Sequence, residues 1–353
     1  SYNWQREVFE DAEKISGEYN AQKGLHVRAR ACNGCLLSSS HVWRCVCEAY
    51  KGMKAEGPEY ETLCFLGSMV GNSNFEAIVA ADYLCDEYGI DTMTFGASVA
   101  FAMECFEKGI LTVEDTGMDL SFGNHESMIK LLHMVAKREG FGDRLAEGSR
   151  KLAEQLGPEA TKLTSDVKGL EVAGHSARAH KGQAVGYATS NRGGSHQDTR
   201  VGPERSGKFD RTAVIGKGKY AKESQDMTVI GDALIVCRRA TEAMYGAFLT
   251  EEVVKLVNLV TGQHYNLEEL TMVAERVYLM EKMFNLREGL SRNQDTLPTR
   301  FLTEPIPDGP SKGLYVPPEE LDIMLDEYYD IRGWDKKTSF PLEATLKRLS
   351  LEF

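Results

Sequence analysis

The chain has 353 residues, of which 42% are hydrophobic and 27% charged, a composition typical of globular proteins. Its formal net charge of -12 argues against nonspecific nucleic-acid binding, which requires a basic surface. No apolar run approaches the roughly 20 residues that span a bilayer, so we expect no membrane role.

Helical periodicity covers most of the chain, with apolar residues recurring three or four positions apart. Asn124 is a predicted helix cap, and Gly89 a predicted helix end. Strand signals are few and short, so we expect an all-α, mostly helical fold. The predicted helices span about 74–88, 99–109, 124–140, 144–156, 220–245, 251–260, 266–286 and 318–329.

Between about 161 and 211 the helical period fades, and Gly, Ser and polar residues become more frequent. Such a long irregular stretch inside a compact protein is usually functional or a linker. The chain is also long enough for two domains, because single cores stop growing at roughly 250–300 residues.

Seven of the eight cysteines lie between Cys32 and Cys105, and the eighth is Cys237. Cys32 and Cys35 form a Cys-x-x-Cys pair in which Gly34 permits a tight turn. Together with one distant Cys, this is the layout of an iron–sulfur or zinc site closed by the fold. A redox dithiol and structural thiols are the alternatives. No secretory signal is visible, so we expect reduced thiols in a cytoplasm.

Four other polar residues are ordinary when they are taken singly. Asp91 and Asp232 stand next to predicted helical segments, where a helix cap is the simplest interpretation. His196 ends a Gly-rich loop, and Glu61 follows a Gly-Pro pair. None of the four identifies a functional site alone.

Taken together, these segments resemble the tungsten-dependent aldehyde:ferredoxin oxidoreductase family. The similarity is collinear over essentially the whole chain, which makes it more specific than any one motif. The matching segments are Arg30-Ala-Cys32-Asn-Gly-Cys35, Gly57-Pro-Glu-Tyr60-Glu61-Thr62, Tyr88-Gly-Ile-Asp91-Thr, Phe101-Ala-Met-Glu104-Cys-Phe-Glu-Lys-Gly109, Gly140-Phe-Gly-Asp-Arg-Leu-Ala-Glu-Gly148, Tyr187-Ala-Thr-Ser-Asn-Arg-Gly193 with His196, Asp232 to Cys237, Asp295-Thr-Leu-Pro298 and Leu325-Asp-Glu-Tyr-Tyr-Asp-Ile-Arg-Gly-Trp334.

The resemblance implies three domains: an N-terminal β-rich base for a pterin cofactor, then two packed helical domains. This chain resembles only the helical pair, which we place at residues 1–162 and 163–353. Nothing in it looks like the first domain. Because it starts at Ser1 rather than Met, we expect a fragment or a processed product.

On the family pattern, Cys32, Cys35 and Cys237 would bind a 4Fe-4S cluster. The position of the family's remaining cysteine ligand is Ser39 here, and a serine oxygen is a harder, poorer cluster ligand than a thiolate. Three explanations follow: ligation by the serine, substitution by Cys45 or Cys47, or a lost or labile cluster. We favour Cys45.

Asp91 and Asp232 match two family acids that hydrogen-bond the pterins of a tungsten or molybdenum bis-molybdopterin. A carboxylate suits this task because it accepts hydrogen bonds from paired N–H donors. The family motif Asp-x-x-Gly-Leu-Cys has Ile235 in place of its glycine here, so a reshaped turn is expected.

Glu61 and His196 match the family's pair of residues near the metal. Either side chain could remove the proton during oxidation of an aldehyde to an acid, and Tyr60 could donate a hydrogen bond to the carbonyl oxygen. The tungsten would take up two electrons, and the cluster would pass them singly to ferredoxin.

The resemblance further implies a small aldehyde substrate, ferredoxin as partner and a homo-oligomer in the cytoplasm. Two other functions stay open. One is a related tungsten-pterin enzyme of the benzoyl-CoA reductase catalytic-subunit type. The other is a cofactor-free helical scaffold, since the pterin-base domain is missing from the resemblance.

Overall fold

A computed structural model describes residues 1–351, and 53% of the chain is helical. No helix within this range is both long and apolar enough to cross a membrane. The α-helices are α1 (Gly17–Gln22), α2 (Tyr60–Leu66), α3 (Phe75–Tyr88), α4 (Thr92–Glu107), α5 (Val113–Thr116), α6 (His125–Lys137), α7 (Phe141–Leu145), α8 (Ser149–Leu156), α9 (Pro158–Thr161), α10 (Lys181–Thr189), α11 (Gly202–Arg205), α12 (Lys217–Ala233), α13 (Arg238–Tyr245), α14 (Glu251–Thr261), α15 (Leu267–Arg287), α16 (Thr299–Thr303), α17 (Pro318–Arg332) and α18 (Glu343–Arg348).

The expected all-α class is approximately right, but a small sheet was missed. Strands β1 (His26–Arg30), β2 (Ser40–Arg44) and β3 (Lys54–Glu56) form an antiparallel sheet in the order β1-β2-β3. Strand β1 has only five residues, and although polar and apolar residues alternate along it, most of them are exposed, so the strand signal is short and weak. A hairpin of β4 (Asp166–Val167) and β5 (Leu170–Glu171) follows later.

The chain divides into two compact units. Unit 1 comprises residues 1–174 and 298–314, and unit 2 comprises residues 175–297 and 315–353. This division falls later than the predicted boundary after residue 162, because the β4-β5 hairpin is bonded to unit 1. The Glu171 carboxylate accepts a hydrogen bond from the Ser149 hydroxyl at 2.7 Å, and Arg150 pairs with Asp166.

In unit 1, α2 packs on α4, and α3 packs on α6. The packing of α2 fixes its first turn, which carries Tyr60 and Glu61. In unit 2, α12 is the central helix and packs on α10, α15 and α17. Its last turn carries Asp232. Each core therefore holds one helix whose end presents predicted site residues.

The predicted caps Asp91 and Asn124 are confirmed, since each accepts a hydrogen bond from a backbone N–H in the first turn of α4 and α6, respectively. Asn74 caps α3 in the same way. The helix cap predicted at Asp232 is wrong, because this residue lies in the last turn of α12. Two other expectations need correction. The helix predicted over 220–245 is broken between α12 and α13, and α10 was missed because all of its residues are buried, which removes the polar face that marks an amphipathic helix.

Candidate functional site

The Cys-x-x-Cys pair lies in the loop that joins β1 to β2. The Cys35 amide donates to the Cys32 carbonyl at 3.1 Å, and Gly34 supplies the left-handed conformation of this turn with φ +73°. The Leu37 amide donates to the Cys35 sulfur at 3.4 Å. Cys32 is exposed. The loop thus presents two thiols on one tight turn, and a backbone N–H already points at one sulfur.

Ser39 and Cys45 lie in different environments. Ser39 is exposed at the end of the same loop. Cys45 is buried directly after β2, where its thiol donates to the Glu76 carbonyl at 3.3 Å, and burial raises its pKa to about 12. Burial also raises the pKa of Cys47. Ligation by Cys45 stays a prediction, and it would require this thiol to leave Glu76 and lose a tightly held proton.

Tyr60 and Glu61 both hydrogen-bond to the backbone of one residue, Gly174. The Tyr60 hydroxyl donates to the Gly174 carbonyl at 2.8 Å, and the Glu61 carboxylate accepts from the Gly174 N–H at 2.7 Å. A Cβ at position 174 would lie 2.8 Å from the Glu61 carboxylate and 2.9 Å from the Cys64 sulfur. Only glycine therefore permits this contact. Gly174 was missed because nothing in its local sequence links it to residues 113 positions earlier.

Glu61 is poised to exchange a proton near neutral pH. Burial raises its pKa from 4.5 to about 7, the negative charge of Asp91 adds to this increase, and the hydrogen bond from Gly174 partly offsets it. Asp91 itself is exposed and caps α4, with its carboxylate accepting from the Thr94 N–H at 2.7 Å.

His196 lies in unit 2 beside a second imidazole that the sequence interpretation did not include. The ring centroids of His175 and His196 are 5.4 Å apart, with the planes inclined by 62°. Burial lowers the pKa of His196 to about 3 and that of His175 to about 4, and neighbouring positive charges lower both further. Both rings are therefore neutral at physiological pH.

Asp232 borders a small pocket of about 110 Å³ within unit 2. Its carboxylate is half exposed and lies 3.8 Å from the Arg192 guanidinium and 3.9 Å from that of Arg238. One turn earlier, the buried Thr228 hydroxyl has no hydrogen-bond partner among the described residues. The pocket wall thus offers a carboxylate acceptor, cationic donors and an unsatisfied hydroxyl to a polar ligand.

Cys237 is exposed at the start of α13, directly after a strained turn. Ile235 adopts φ 55°, the left-handed conformation that favours glycine. The chain therefore places a β-branched residue in a left-handed turn, and the reshaping expected from the lost glycine stays a prediction.

The predicted site residues are divided between the units. Unit 1 holds Cys32, Cys35, Cys45, Tyr60, Glu61 and Asp91, and unit 2 holds His196, Asp232 and Cys237. Within unit 1, the structure brings Tyr60 and Glu61 together on Gly174. Within unit 2, it brings His196 next to His175, and Asp232 next to Arg192.

A family model described as "Aldehyde ferredoxin oxidoreductase, domains 2 & 3" matches residues 1–351. The chain belongs to this family. It is 37% identical over 360 residues to a tungsten-containing aldehyde ferredoxin oxidoreductase of Pyrococcus abyssi, covering 99% of this chain and 57% of the relative. The corresponding protein of Pyrococcus furiosus is 38% identical over 349 residues, covering 97% and 55%. The chain thus spans little more than half the length of these relatives.

Two further proteins that are similar to this chain carry different names. A Pyrococcus furiosus protein named aliphatic sulfonate oxidoreductase, WOR-like subunit, is 29% identical over 361 residues, covering 99% of this chain and 54% of the relative. The solved active-site complex BamBC of benzoyl coenzyme A reductase with 1,5 dienoyl-CoA has a TM-score of 0.75, covering 96% of this chain and 55% of that chain. At 19% identity, this likeness establishes a shared fold.

Proposed function

We propose that this chain forms the helical part of a tungsten enzyme that oxidises an aldehyde to a carboxylic acid and transfers the electrons to ferredoxin. The observation that carries the proposal is that Tyr60 and Glu61 lie side by side, both hydrogen-bonded to the Gly174 backbone, and that the pKa of Glu61 is raised to about 7. A proton acceptor and a hydroxyl donor next to each other are what carbonyl oxidation requires.

The overall reaction combines an aldehyde with water and yields a carboxylic acid, two electrons and two protons. A protein group must accept a proton as oxygen adds to the carbonyl carbon. Glu61 suits this task because its pKa lies close to physiological pH, so it can gain and release the proton in each cycle. The Tyr60 residue is more than half exposed, so its hydroxyl can exchange the hydrogen bond to Gly174 for one to a carbonyl oxygen of the substrate.

The residues around Asp232 fit a pterin. A pterin carries ring and amino N–H donors together with carbonyl and ring-nitrogen acceptors, and the wall offers Asp232 to the donors and Arg192 and the unsatisfied Thr228 hydroxyl to the acceptors. In this proposal Asp91 and Asp232 hold the bis-molybdopterin. When bound, its tungsten or molybdenum would accept the two electrons of the oxidation.

The loop of Cys32 and Cys35 fits an iron–sulfur cluster. Two thiols on a glycine turn, one of them accepting a backbone N–H, are suited to cluster binding. We assign Cys32, Cys35 and Cys237 as ligands, with Cys45 or Ser39 as the fourth. When bound, the cluster would transfer single electrons to ferredoxin. We further propose a homo-oligomer in the cytoplasm, on the basis of the family alone.

The proposal is tested by replacing Glu61 with Gln in the complete enzyme. This change removes the proton acceptor but keeps the shape, so kcat for aldehyde-dependent ferredoxin reduction should fall by about 10²–10⁴-fold. The neighbouring Glu59→Gln is the control and should retain kcat. Unchanged kcat in Glu61→Gln would refute the assigned role.

Metal analysis of the same preparations separates the alternatives. Tungsten and iron in both variants, with activity on aldehydes retained in Glu59→Gln, support the proposal. Both metals with activity only on other substrates, such as the sulfonates named for the 29% identical relative, support a related tungsten-pterin enzyme. Absence of both metals would support the alternative that the chain is a cofactor-free helical scaffold.

A further inference from the structure

We propose that Gln197 and Arg238 are positioning residues that hold His196 as the neutral tautomer with its proton on Nδ1. In this state His196 donates a hydrogen bond instead of serving as a base. The inference rests on the proposed function, in which His196 is a site residue.

A chain of two hydrogen bonds fixes the tautomer. The Arg238 guanidinium donates from Nη1 to the Gln197 Oε1 atom at 2.8 Å. A guanidinium has only donors, so this contact identifies the amide oxygen of Gln197 and leaves its NH2 group on the other side. That nitrogen lies 2.8 Å from the His196 Nε2 atom. Because an amide NH2 donates, Nε2 must accept, and the ring proton lies on Nδ1.

The charged groups around His196 oppose a second proton on the ring. The imidazole of His175 and the guanidinium groups of Arg192, Arg200 and Arg238 all lower its affinity for a proton. Each arginine also has an acidic partner, namely Asp198 for Arg192, Glu242 for Arg200 and Asp232 for Arg238, and Asp232 lies near Arg192 as well. Burial of the ring acts in the same direction.

His196 and Glu61 have different roles in this proposal. If His196 accepted a proton at Nε2, it would lose the hydrogen bond from Gln197 and become a cation among three guanidinium groups. Glu61, whose pKa is raised to about 7, has no such obstacle. We therefore assign proton transfer to Glu61. His196 would stabilise negative charge on a substrate oxygen through its Nδ1–H.

Replacing Gln197 with Glu tests this inference. A carboxylate accepts from both Arg238 and His196, so the ring proton should move to Nε2 and the pKa of His196 should rise by at least about one pH unit. The readout is the ring ¹⁵N spectrum of the histidine-labelled full protein, with the His196 signals identified by their loss in His196→Gln. The wild type should show a protonated Nδ1 and an unprotonated Nε2.

Gln197→Glu should invert that pattern and add an ionisation to the pH profile of kcat/KM. Gln197→Leu is the control, because it removes the donor without supplying an acceptor. A wild-type ring protonated on Nε2 would overturn the positioning role, whatever the activity. A wild-type ring protonated on Nδ1 together with unchanged kcat in His196→Gln would retain that role but refute the part of His196 in the proposed reaction.

Discussion

At the scale of single residues, the buried acids of unit 1 differ in whether they have partners. Glu171 is bonded to Ser149, whereas one carboxylate oxygen of Asp82 is buried without a hydrogen-bond partner. Asp82 is 6% exposed and packs against the backbone of Gly57. Burial raises its pKa from 3.8 to about 7, and the charges of Asp86 and Glu59 add to the increase. Asp82 therefore makes stability depend on pH.

The direction of this dependence follows from the raised pKa. The folded state binds the Asp82 proton more tightly than the unfolded state, so its contribution to stability is fully present below about pH 4 and is lost as the pH rises through about 7. At pH 8 the folded protein holds a buried, unpaired charge. Asp82→Asn removes this charge and should increase the free energy of unfolding at pH 8 by about 2 kcal/mol, and by much less at pH 4.

Urea denaturation at the two pH values measures this difference. The exposed Glu87→Gln serves as the control and should change the free energy of unfolding little at either pH. A variant Asp82→Asn that is less stable than the wild type at pH 8 would show that the carboxylate is stabilising there, contrary to its buried position.

At the scale of elements, the end of α12 carries strain that a glycine would relieve. The Val236 N–H bonds the Gly231 carbonyl at 3.2 Å, which closes the helix with Ile235 in the left-handed position. That conformation costs a non-glycine residue roughly 1–2 kcal/mol, and the Ile235 side chain, 92% exposed, gains almost no burial in return.

Ile235→Gly should therefore stabilise the protein by about 1 kcal/mol, after allowance for the greater freedom of glycine in the unfolded chain. The midpoint of thermal unfolding measures this gain. The neighbouring Val236→Gly is the matched control, since Val236 does not have a positive φ, and it should lower the midpoint. Equal destabilisation by both substitutions would mean that position 235 is not strained.

The same elements show what the sequence could predict. Caps such as Asp91 and Asn124 could be predicted because one short side chain bonds a backbone group three residues away. Helix α10 could not be predicted from the sequence, because a helix buried on all sides has no polar face. Strands β1 and β2 could not be predicted either, because five residues give too short a pattern to distinguish a strand from a loop.

At the scale of the whole molecule, the site residues were predicted through a family pattern, whereas their partners were not. Glu61 and Tyr60 lie in a recognisable motif, whereas the role of Gly174 follows only from its contact with Glu61 in the folded chain. Gln197 likewise has no sequence signal, and only its contacts with Arg238 and His196 show which end of its amide faces each of them. Local patterns report neighbours along a helix or turn, and they contain no record of contacts made by distant segments.

Unit 1 is built from two separate stretches of the chain, residues 1–174 and 298–314, and their attachment gives a prediction at this scale. Residues 298–314 return to unit 1 through Arg300, whose guanidinium donates to both carboxylate oxygens of Glu104 at 2.9 and 2.6 Å. The Asn3 side chain donates to the same carboxylate at 2.6 Å. Glu104 is fully buried and Arg300 is 5% exposed. Removing either one leaves a buried charge that a second partner compensates only in part, since Lys108 lies 3.6 Å from Glu104 and Glu304 lies 2.8 Å from Arg300.

Arg300→Met should lower the free energy of unfolding by about 3 kcal/mol, the lower end of the range for a broken buried pair, because Lys108 compensates the charge of Glu104 only in part. Adding Glu104→Gln to this variant should recover a large part of the loss, since the second change removes the unpaired charge and keeps an acceptor for Asn3. Urea denaturation of the wild type, both single variants and the double variant gives the coupling between the two positions. Losses that simply add would show that the pair does not hold residues 298–314 in unit 1, and that the surrounding apolar contacts do so instead.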